Sequence, residues 1–245
     1  MIINSTGLEK LLRNYLDIEQ TEEGLVIHRF TERQRSVYDS QKNREIRARC
    51  PAGVSLEMFT NARCIRLLFS ILERTREWSF FDLFINNIFL DSQSSHSHDG
   101  VLHTVEFEFA GKQGKDPQRV TIYLPHNIYL ALQSVEIIDG EVEPVTGPIR
   151  KKLLCLGNSI TQGMDVYYPS STFPVQLARF FEMDLLNQGV DGYIFNARSL
   201  DEEISYKQDL VTVAYGTVFH SSGNHKLGIL SLSADYRAAG SEYDA

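Results

Sequence analysis

Three apolar runs in the second half of the chain, each followed by a glycine, constrain the fold more than any other sequence feature. The runs lie at residues 153–156, 185–186 and 210–215, and the glycines are Gly157, Gly189 and Gly216. A helical pattern over residues 172–181 separates the first two runs, and a weaker pattern over residues 197–206 precedes the third. Strands that alternate with helices form a parallel sheet with right-handed connections, so this half is predicted to be an α/β domain.

The first predicted helix has clear boundary and core signals. Thr172 is suited to cap it, and Pro174 falls in its first turn. The apolar residues expected to point into the core are Val175, Leu177, Ala178 and Phe181.

Residues 157–163 (Gly-Asn-Ser-Ile-Thr-Gln-Gly) follow the first run directly. The carboxyl ends of parallel strands meet at one edge of the sheet, where open α/β folds bind ligands, so Ser159 is expected at that edge. A serine there is a candidate nucleophile if a base removes its proton and amide hydrogens bind the oxyanion. Glycines at the strand ends let backbone N–H groups approach an oxyanion closely, although tight turns also require glycine for geometric reasons alone.

The first half of the chain has a different pattern, typical of an all-β domain. Apolar runs recur between turn signals at residues 54–59, 64–71, 80–85, 101–109, 120–124 and 134–138. Strands at this spacing predict a β-sandwich, and Asn86-Asn87 predicts a tight turn because asparagine tolerates positive φ. A short helix is predicted over residues 8–15, whereas the densely charged residues 32–49 are assigned to loop and edge structure.

The stretch 139–148, with its acidic residues, prolines and glycines, marks a boundary between the two patterns. We therefore predict a β-sandwich domain over residues 1–148 and an α/β domain over residues 149–245.

Trp78, Phe80 and Phe81 fall on or beside the predicted strands. Rings on strands fill a core more often than they form a sugar-binding face, and the core is the favoured interpretation here.

Composition limits the partners and the compartment. A net charge of −8 argues against nucleic acid or an anionic membrane as the main partner. No basic segment followed by an apolar core opens the sequence, and no apolar run is long enough to cross a bilayer. A cytoplasmic protein is expected, with a secreted mature form as the alternative. The three cysteines are expected to be buried free thiols.

Metal and cofactor sites are not expected. His96, His98 and Asp99 lie close together in a Ser-rich stretch. Because zinc sites usually need more ligands than these, the stretch is assigned to a loop.

The motifs of the second half resemble those of the SGNH (GDSL-type) hydrolases. Residues 157–163 resemble the first block, Gly-Asp-Ser-x-Thr-x-Gly, with Asn158 where aspartate is common. Residues 187–192 (Asn-Gln-Gly-Val-Asp-Gly) resemble the second block, and residues 211–217 resemble the approach to the third, Gly-x-Asn-Asp. The β-rich first half resembles the jelly-roll domain that precedes the hydrolase domain in some members, including carbohydrate esterases. The resemblance covers most of residues 20–217.

The resemblance implies a jelly-roll-like sandwich followed by a flavodoxin-like, three-layer α/β domain with serine esterase activity and no cofactor. Ser159 would be the nucleophile. Its own N–H, that of Gly189 and the side chain of the third-block asparagine would hold the oxyanion, and a late histidine three residues after an aspartate would be the base. The implied substrates are small acyl or acetyl esters, including acetylated sugars.

After Thr217 the sequence departs from the family pattern. Val218 stands where the third-block asparagine belongs, and loss of one oxyanion donor typically costs about 100- to 1000-fold in rate. None of the histidines lies three residues after an aspartate. His220, just past the third predicted strand, is the candidate substitute base. Our hypothesis is that truncation, frameshift or deletion interrupts the pattern at Thr217 and impairs or abolishes activity.

Two functions of different classes follow from the sequence. The first is an ester hydrolase acting through Ser159. The second is a non-catalytic module that binds a glycan or a protein and keeps the second half as a scaffold.

The α/β domain is expected to be incomplete, because a flavodoxin-like sheet uses five strands and three are predicted here. Its open sheet edge is expected to favour self-association.

Overall fold

The computed structural model describes residues 1–97, 100–109 and 116–215. Within these residues the chain is rich in strands and has few, short helices. The strands are β1 (Ile2–Ile3), β2 (Leu12–Arg13), β3 (Asp17–Thr21), β4 (Gly24–His28), β5 (Ser55–Thr60), β6 (Cys64–Arg74), β7 (Phe80–Ile85), β8 (Ile88–Ser94), β9 (His96–Ser97), β10 (Leu102–Glu108), β11 (Gln118–Tyr123), β12 (Ile128–Ile138), β13 (Val142–Pro144), β14 (Lys152–Gly157), β15 (Asp184–Gly189) and β16 (Leu210–Ala214). The helices are α1 (Ser5–Leu11), α2 (Glu32–Tyr38), α3 (Lys42–Arg49), α4 (Ser159–Gln162) and α5 (Phe173–Phe180), with 3-10 turns at Pro169–Ser171 and Ala197–Ser199.

Two antiparallel sheets of the first half share the largest apolar cluster. One runs β3-β4-β12-β6-β10-β9, with β1 beside β12, and the other runs β13-β5-β11-β7-β8, with β2 beside β5. Side chains alternate as the sequence predicts: Val105 and Phe107 of β10 are buried, and Glu106 between them is more exposed. They join Leu56 of the opposite sheet in one core cluster. The predicted turn at Asn86 and Asn87 is confirmed, with φ of 48° and 65°.

The second half forms a parallel sheet in the order β15-β14-β16. β14 is central, and Gly157 at its end lies opposite Gly189 on one side and Ala214 on the other. The β-α-β order is confirmed: α5 follows Thr172, has proline in its first turn and buries Val175.

Two details of the predicted helices are wrong. Phe181 is 54% exposed because α5 ends one residue before it. Residues 197–206 contain only a 3-10 turn instead of a helix. Asn196 accepts a hydrogen bond from the N–H of Arg198, and Asp201 accepts one from the N–H of Glu203. Such local side-chain bonds compete with the helical ones.

The assignment of residues 32–49 to loop and edge structure is also wrong, because this stretch forms α2 and α3. A capping box starts α2: the Thr31 hydroxyl accepts from the Gln34 N–H, and the Gln34 side chain accepts from the Thr31 N–H. The buried side of α2 contains the polar Gln34, and α3 buries only Ile46 and Ala48. The apolar periodicity is therefore weak although the helices form.

Residues on the two sides of residue 148 pack closely together. Tyr38 shares an apolar cluster with Leu154 and Leu186 of the parallel sheet. Phe84 of β7 shares another with Leu153 of β14.

An ion-paired cluster also joins the two halves. Glu57 of β5, whose side chain is 5% exposed, accepts hydrogen bonds of 2.8 Å from both Arg119 and Arg150. Burial alone raises the pKa of Glu57, but the two guanidinium groups outweigh burial and hold that pKa below its ordinary value.

The cysteines are free and buried, as predicted. No helix among the described residues is long and apolar enough to span a bilayer, and these residues contain no cluster of three or more metal-ligating side chains.

Candidate functional site

Ser159 lies at the carboxyl edge of the central strand of the parallel sheet, where the sequence predicts it. β14 ends at Gly157, Asn158 caps the next helix, and Ser159 is the first residue of α4. The Asn158 side-chain oxygen accepts from the N–H of Ile160 at 3.2 Å. Ser159 is half-buried, so its hydroxyl is at the boundary between the sheet edge and solvent.

The glycines of the first block are required by close packing within the block. A Cβ on Gly157 would lie 1.8 Å from the Thr161 hydroxyl oxygen, so any larger residue displaces α4. Gly163 ends α4 with φ of 92°, a left-handed conformation that other residues adopt at a cost. The spacing Gly-x-Ser-x-Thr-x-Gly therefore describes a compact turn that fixes Ser159 at the strand end.

Gly189, the predicted oxyanion donor, lies at the end of β15 and is buried. Its N–H donates to the side-chain oxygen of Asn187 at 2.9 Å, and the Asn187 amide group donates to the Thr161 carbonyl at 2.7 Å. A Cβ on Gly189 would lie 2.3 Å from the backbone nitrogen of Gln162. Glycine is thus needed here for the close approach of α4. Its N–H serves an oxyanion only if Asn187 releases it, and that role stays a prediction.

The predicted base and the third block fall outside the described residues. This applies to His220, Val218, Thr217 and Gly216, and likewise to His98 and Asp99 of the Ser-rich stretch.

His28 and His126 are buried histidines among the described residues. The Nε2 of His28 lies 3.1 Å from Glu19. His126 is 1% exposed and lies beside Gly163, at the opposite end of α4 from Ser159. Burial lowers the pKa of His126 to about 4, so its ring is neutral at pH 7. Neither ring is hydrogen-bonded to Ser159.

A feature that the sequence did not reveal is the buried Arg29, which follows β4 and reaches the second-block strand. Its guanidinium is completely buried and donates to the carbonyls of Asn187 and Gly189. It also donates to the carbonyls of Cys50 at 2.6 Å and Arg47 at 3.1 Å. Burial lowers its pKa to about 10. A residue of the first half thus binds the backbone of the second block itself.

The residues after Gly189 are held by α3 and by Gln162 of the first block. Arg47 forms a 3.0 Å ion pair with Asp191 and donates to its carbonyl at 3.3 Å. Gln162 accepts from the Asp191 N–H at 2.8 Å and donates to the Arg47 carbonyl at 2.9 Å. Gln162 of the first block therefore joins both blocks to α3.

The side chains of Gln34 and Gln188 extend the same contact between the halves. Gln34 donates to the Gln188 side-chain oxygen at 3.1 Å, and Gln188 donates to the Arg29 carbonyl at 3.0 Å. The Thr-x-x-Gln pattern at residues 31–34 is a capping-box signature that indicates α2 from sequence alone. Nothing in the sequence indicates that α2 and α3 pack against the second block.

No family model matches the chain, and no curated protein matches it. Solved structures do share its fold. The salicylyl-acyltransferase SsfX3 from a tetracycline biosynthetic pathway has a TM-score of 0.71 at 17% identity, over 91% of this chain. A GDSL-like lipase from Bacteroides ovatus has a TM-score of 0.68 at 18% identity, over 88% of this chain. An acetyl xylan esterase from the rumen bacterium Butyrivibrio proteoclasticus has a TM-score of 0.58 at 16% identity, over 91% of this chain.

The chain spans 64% of the length of each of the first two proteins and 65% of the third. At these identities the likeness concerns the fold. The resemblance to SGNH (GDSL-type) hydrolases, inferred from the three sequence blocks, is confirmed at that level.

Proposed function

We propose that this chain is an SGNH-type serine ester hydrolase by descent, with Ser159 as its nucleophile. The observation that supports this most strongly is the position of Ser159, half-exposed at the end of the central parallel strand and first in the helix that follows. The N–H groups of a first helical turn have no acceptor within the helix, so the Ser159 amide is suited to an oxyanion. The described fold neighbours include an acyltransferase and an acetyl xylan esterase, which supports acyl or acetyl esters, with acetylated sugars among them, as substrates.

In the proposed reaction the Ser159 oxygen attacks the acyl carbon, and its proton passes to a base. The carbonyl oxygen becomes an oxyanion held by backbone N–H groups, the alcohol leaves with a proton, and water then releases the acid from the acyl-enzyme. We propose His220 as the base and Gly189 as the second amide donor. The bond from Gly189 to Asn187 and the valine at position 218 both favour a low rate.

The proposal includes the domain organisation. Residues 1–148 would form the jelly-roll-like sandwich and residues 149–245 an incomplete flavodoxin-like domain. The contacts of Tyr38 and Phe84 with the parallel sheet support two halves that act as one unit. Self-association through the open sheet edge belongs to the same proposal, and gel filtration of the full chain tests it: a compact monomer would contradict it.

The decisive experiment is hydrolysis of p-nitrophenyl acetate by the full chain, compared with Ser159→Ala and with the exposed-serine control Ser205→Ala. We expect turnover that Ser159→Ala abolishes and Ser205→Ala preserves. Labelling by a fluorophosphonate, with the modified peptide mapped to Ser159, gives a second readout that needs no turnover. Equal rates in all three proteins, with no labelled Ser159, would show that the esterase proposal is wrong.

The second candidate, a non-catalytic binding module, is favoured by one specific observation. The Gly189 N–H, which the family mechanism needs, is already bonded to Asn187. The same assay separates the candidates, because a module gives no Ser159-dependent rate.

A further inference from the structure

Four aromatic rings form a partly exposed patch, which we call the aromatic strip: Trp78, Phe80, Tyr167 and Tyr168. The ring centroids of Trp78 and Tyr167 are 4.7 Å apart, and those of Phe80 and Tyr168 are 5.3 Å apart. Tyr167 is 58% and Tyr168 45% exposed. The sequence favoured a core position for these strand aromatics. That holds for Phe81, which is fully buried, whereas Trp78 and Phe80 are half-buried. Contiguous exposed aromatic surface marks an interaction site.

The strip is held in place by bonds between two distant segments. Phe80 is the first residue of β7 and Trp78 lies two residues before it, whereas the two tyrosines lie in the loop between α4 and α5. Arg76 and Asp165 join the same two segments through a 2.7 Å ion pair. The side chain of Asn127 donates to the Trp78 carbonyl at 2.7 Å. Rings fixed in this way lose little freedom when a ligand binds.

Tyr168 also lines a groove of about 660 Å³ between the β7–β8 hairpin and α5. Its lining combines rings with hydrogen-bonding groups, including Phe89, Asp91, Ser171, Gln176 and Arg179. Phe89 is 52% exposed, and Ser171 and Gln176 are exposed as well. The strip and the groove thus form a continuous surface through their shared residue, Tyr168.

The charged side chains on this surface are held by contacts within the protein. Arg76 is paired with Asp165. Arg179 stacks 3.9 Å above the Phe84 ring and donates to a backbone carbonyl at 3.0 Å. The two oxygens of Asp91 accept from a backbone N–H at 2.8 Å and from a side-chain amide at 2.7 Å. The surface has no cationic excess, because Asp82, whose carboxylate accepts from Ser92 and Ser170 of the groove, and the exposed Glu77 beside Trp78 add to these two anionic groups. This opposes nucleic acid, whereas a neutral ligand leaves the existing bonds intact.

We propose that the aromatic strip and its groove bind a neutral glycan chain, with sugar rings stacked on Tyr167 and Tyr168. The C–H face of a pyranose is weakly positive and matches the negative face of an aromatic ring. Its hydroxyl groups need donors and acceptors such as Gln176 and Ser171, which a lipid chain does not use. Binding does not require Ser159; only the link between this glycan and an ester substrate rests on the proposed function.

Trp78, the single tryptophan of the chain, makes the test direct. The full chain is titrated with cellohexaose, xylohexaose, mannohexaose and maltohexaose while tryptophan emission is recorded, and calorimetry confirms the dissociation constant. We expect a saturable change with at least one of the four sugars. Tyr167→Ala and Tyr168→Ala should each weaken that binding about tenfold or more, whereas Tyr167→Phe, which keeps the ring, should bind within about threefold of wild type.

Two control variants make the result specific. Phe180→Ala removes an aromatic ring that is 80% exposed outside the strip and the groove, and Ser159→Ala removes the proposed nucleophile; both should bind the sugar as wild type does. Circular dichroism confirms that each variant is folded. The proposal is overturned if none of the four sugars binds, which would favour a protein partner instead. It is also overturned if a folded Tyr167→Ala/Tyr168→Ala double variant binds normally, or if Phe180→Ala loses as much affinity as the tyrosine variants.

Discussion

Replacing Arg29 by methionine tests whether the first half of the chain holds the second block in place. The guanidinium is completely buried and donates to four well-placed carbonyls, those of Cys50, Arg47, Asn187 and Gly189. Two of these carbonyls, those of Asn187 and Gly189, belong to the part of β15 that lies within the second block. Methionine fills much of the volume but offers no donor. The Arg47 carbonyl keeps its bond from Gln162 and the Cys50 carbonyl keeps the N–H of Ala52, so the loss falls mainly on the buried carbonyls of Asn187 and Gly189.

The expected loss of stability in Arg29→Met follows from the number of hydrogen bonds that the substitution removes. Each buried carbonyl left unsatisfied costs about 1–3 kcal/mol, and removal of the buried charge offsets part of the total. We expect Arg29→Met to lower the free energy of unfolding by about 3–5 kcal/mol, a large share of the roughly 5–15 kcal/mol available to a folded domain. Arg29→Lys keeps a charge and some donors and should lose about half as much.

Urea unfolding followed by far-ultraviolet circular dichroism measures both effects. Arg63→Met is the matched control, because the Arg63 side chain is 75% exposed and its ion pair with Asp139 is 3.6 Å long. Its loss should stay below about 0.5 kcal/mol. Hydrogen exchange at the Val190 amide should accelerate in Arg29→Met and not in the control. If Arg29→Met unfolds within 1 kcal/mol of wild type, the buried guanidinium does not hold the second block.

Three further predictions concern other parts of the site and the contact between the halves. Gly189→Ala should lower the free energy of unfolding by about 2–3 kcal/mol, because its Cβ would lie 2.3 Å from the Gln162 backbone nitrogen. The control Gly147→Ala should be neutral, because a Cβ there meets no atom within 4 Å. Thermal unfolding of both variants measures the difference. Burial lowers the pKa of His126 to about 4 in the folded protein, whereas the ordinary value of 6.5 applies to the unfolded chain. As pH falls, the unfolded chain therefore binds the proton first, and the free energy of unfolding decreases between pH 6.5 and 4. In His126→Gln, the decrease in the free energy of unfolding from pH 7 to pH 4.5 should be smaller than in wild type by up to about 3 kcal/mol, as measured by urea unfolding at both pH values. An unchanged pH dependence would contradict the buried, neutral ring. Glu57→Gln should cost about 3 kcal/mol at pH 7 by leaving its two arginine partners without a counter-charge, and a midpoint equal to wild type would show that the pair contributes nothing.

Local sequence determined the six predicted strands of the first half and the asparagine turn, whereas it does not predict β3, β4 or β8. Alternation in residues 101–109 predicts β10, and the asparagine pair at 86–87 predicts its turn, because each depends on a few neighbouring side chains. The prediction of a helix over residues 197–206 was wrong for a local reason as well, because short polar side chains accept hydrogen bonds from the backbone there. The placement of Ser159 follows from the glycine-flanked first block, in which neighbouring residues pack on one another.

Only the tertiary structure decided what surrounds that serine. From the sequence, the densely charged residues 32–49 are assigned to loop and edge structure. Arg47 of this stretch, and Arg29 just before it, nevertheless bond the backbone of the second block, about 150 residues away in the chain. Likewise, Trp78 and Tyr167 lie far apart in sequence and meet in one strip. A strand or a helix is specified by the periodicity of adjacent residues, which a sequence displays directly. A buried guanidinium that binds distant carbonyls, or rings that meet across two segments, has no periodicity, and so it becomes visible only once the chain has folded.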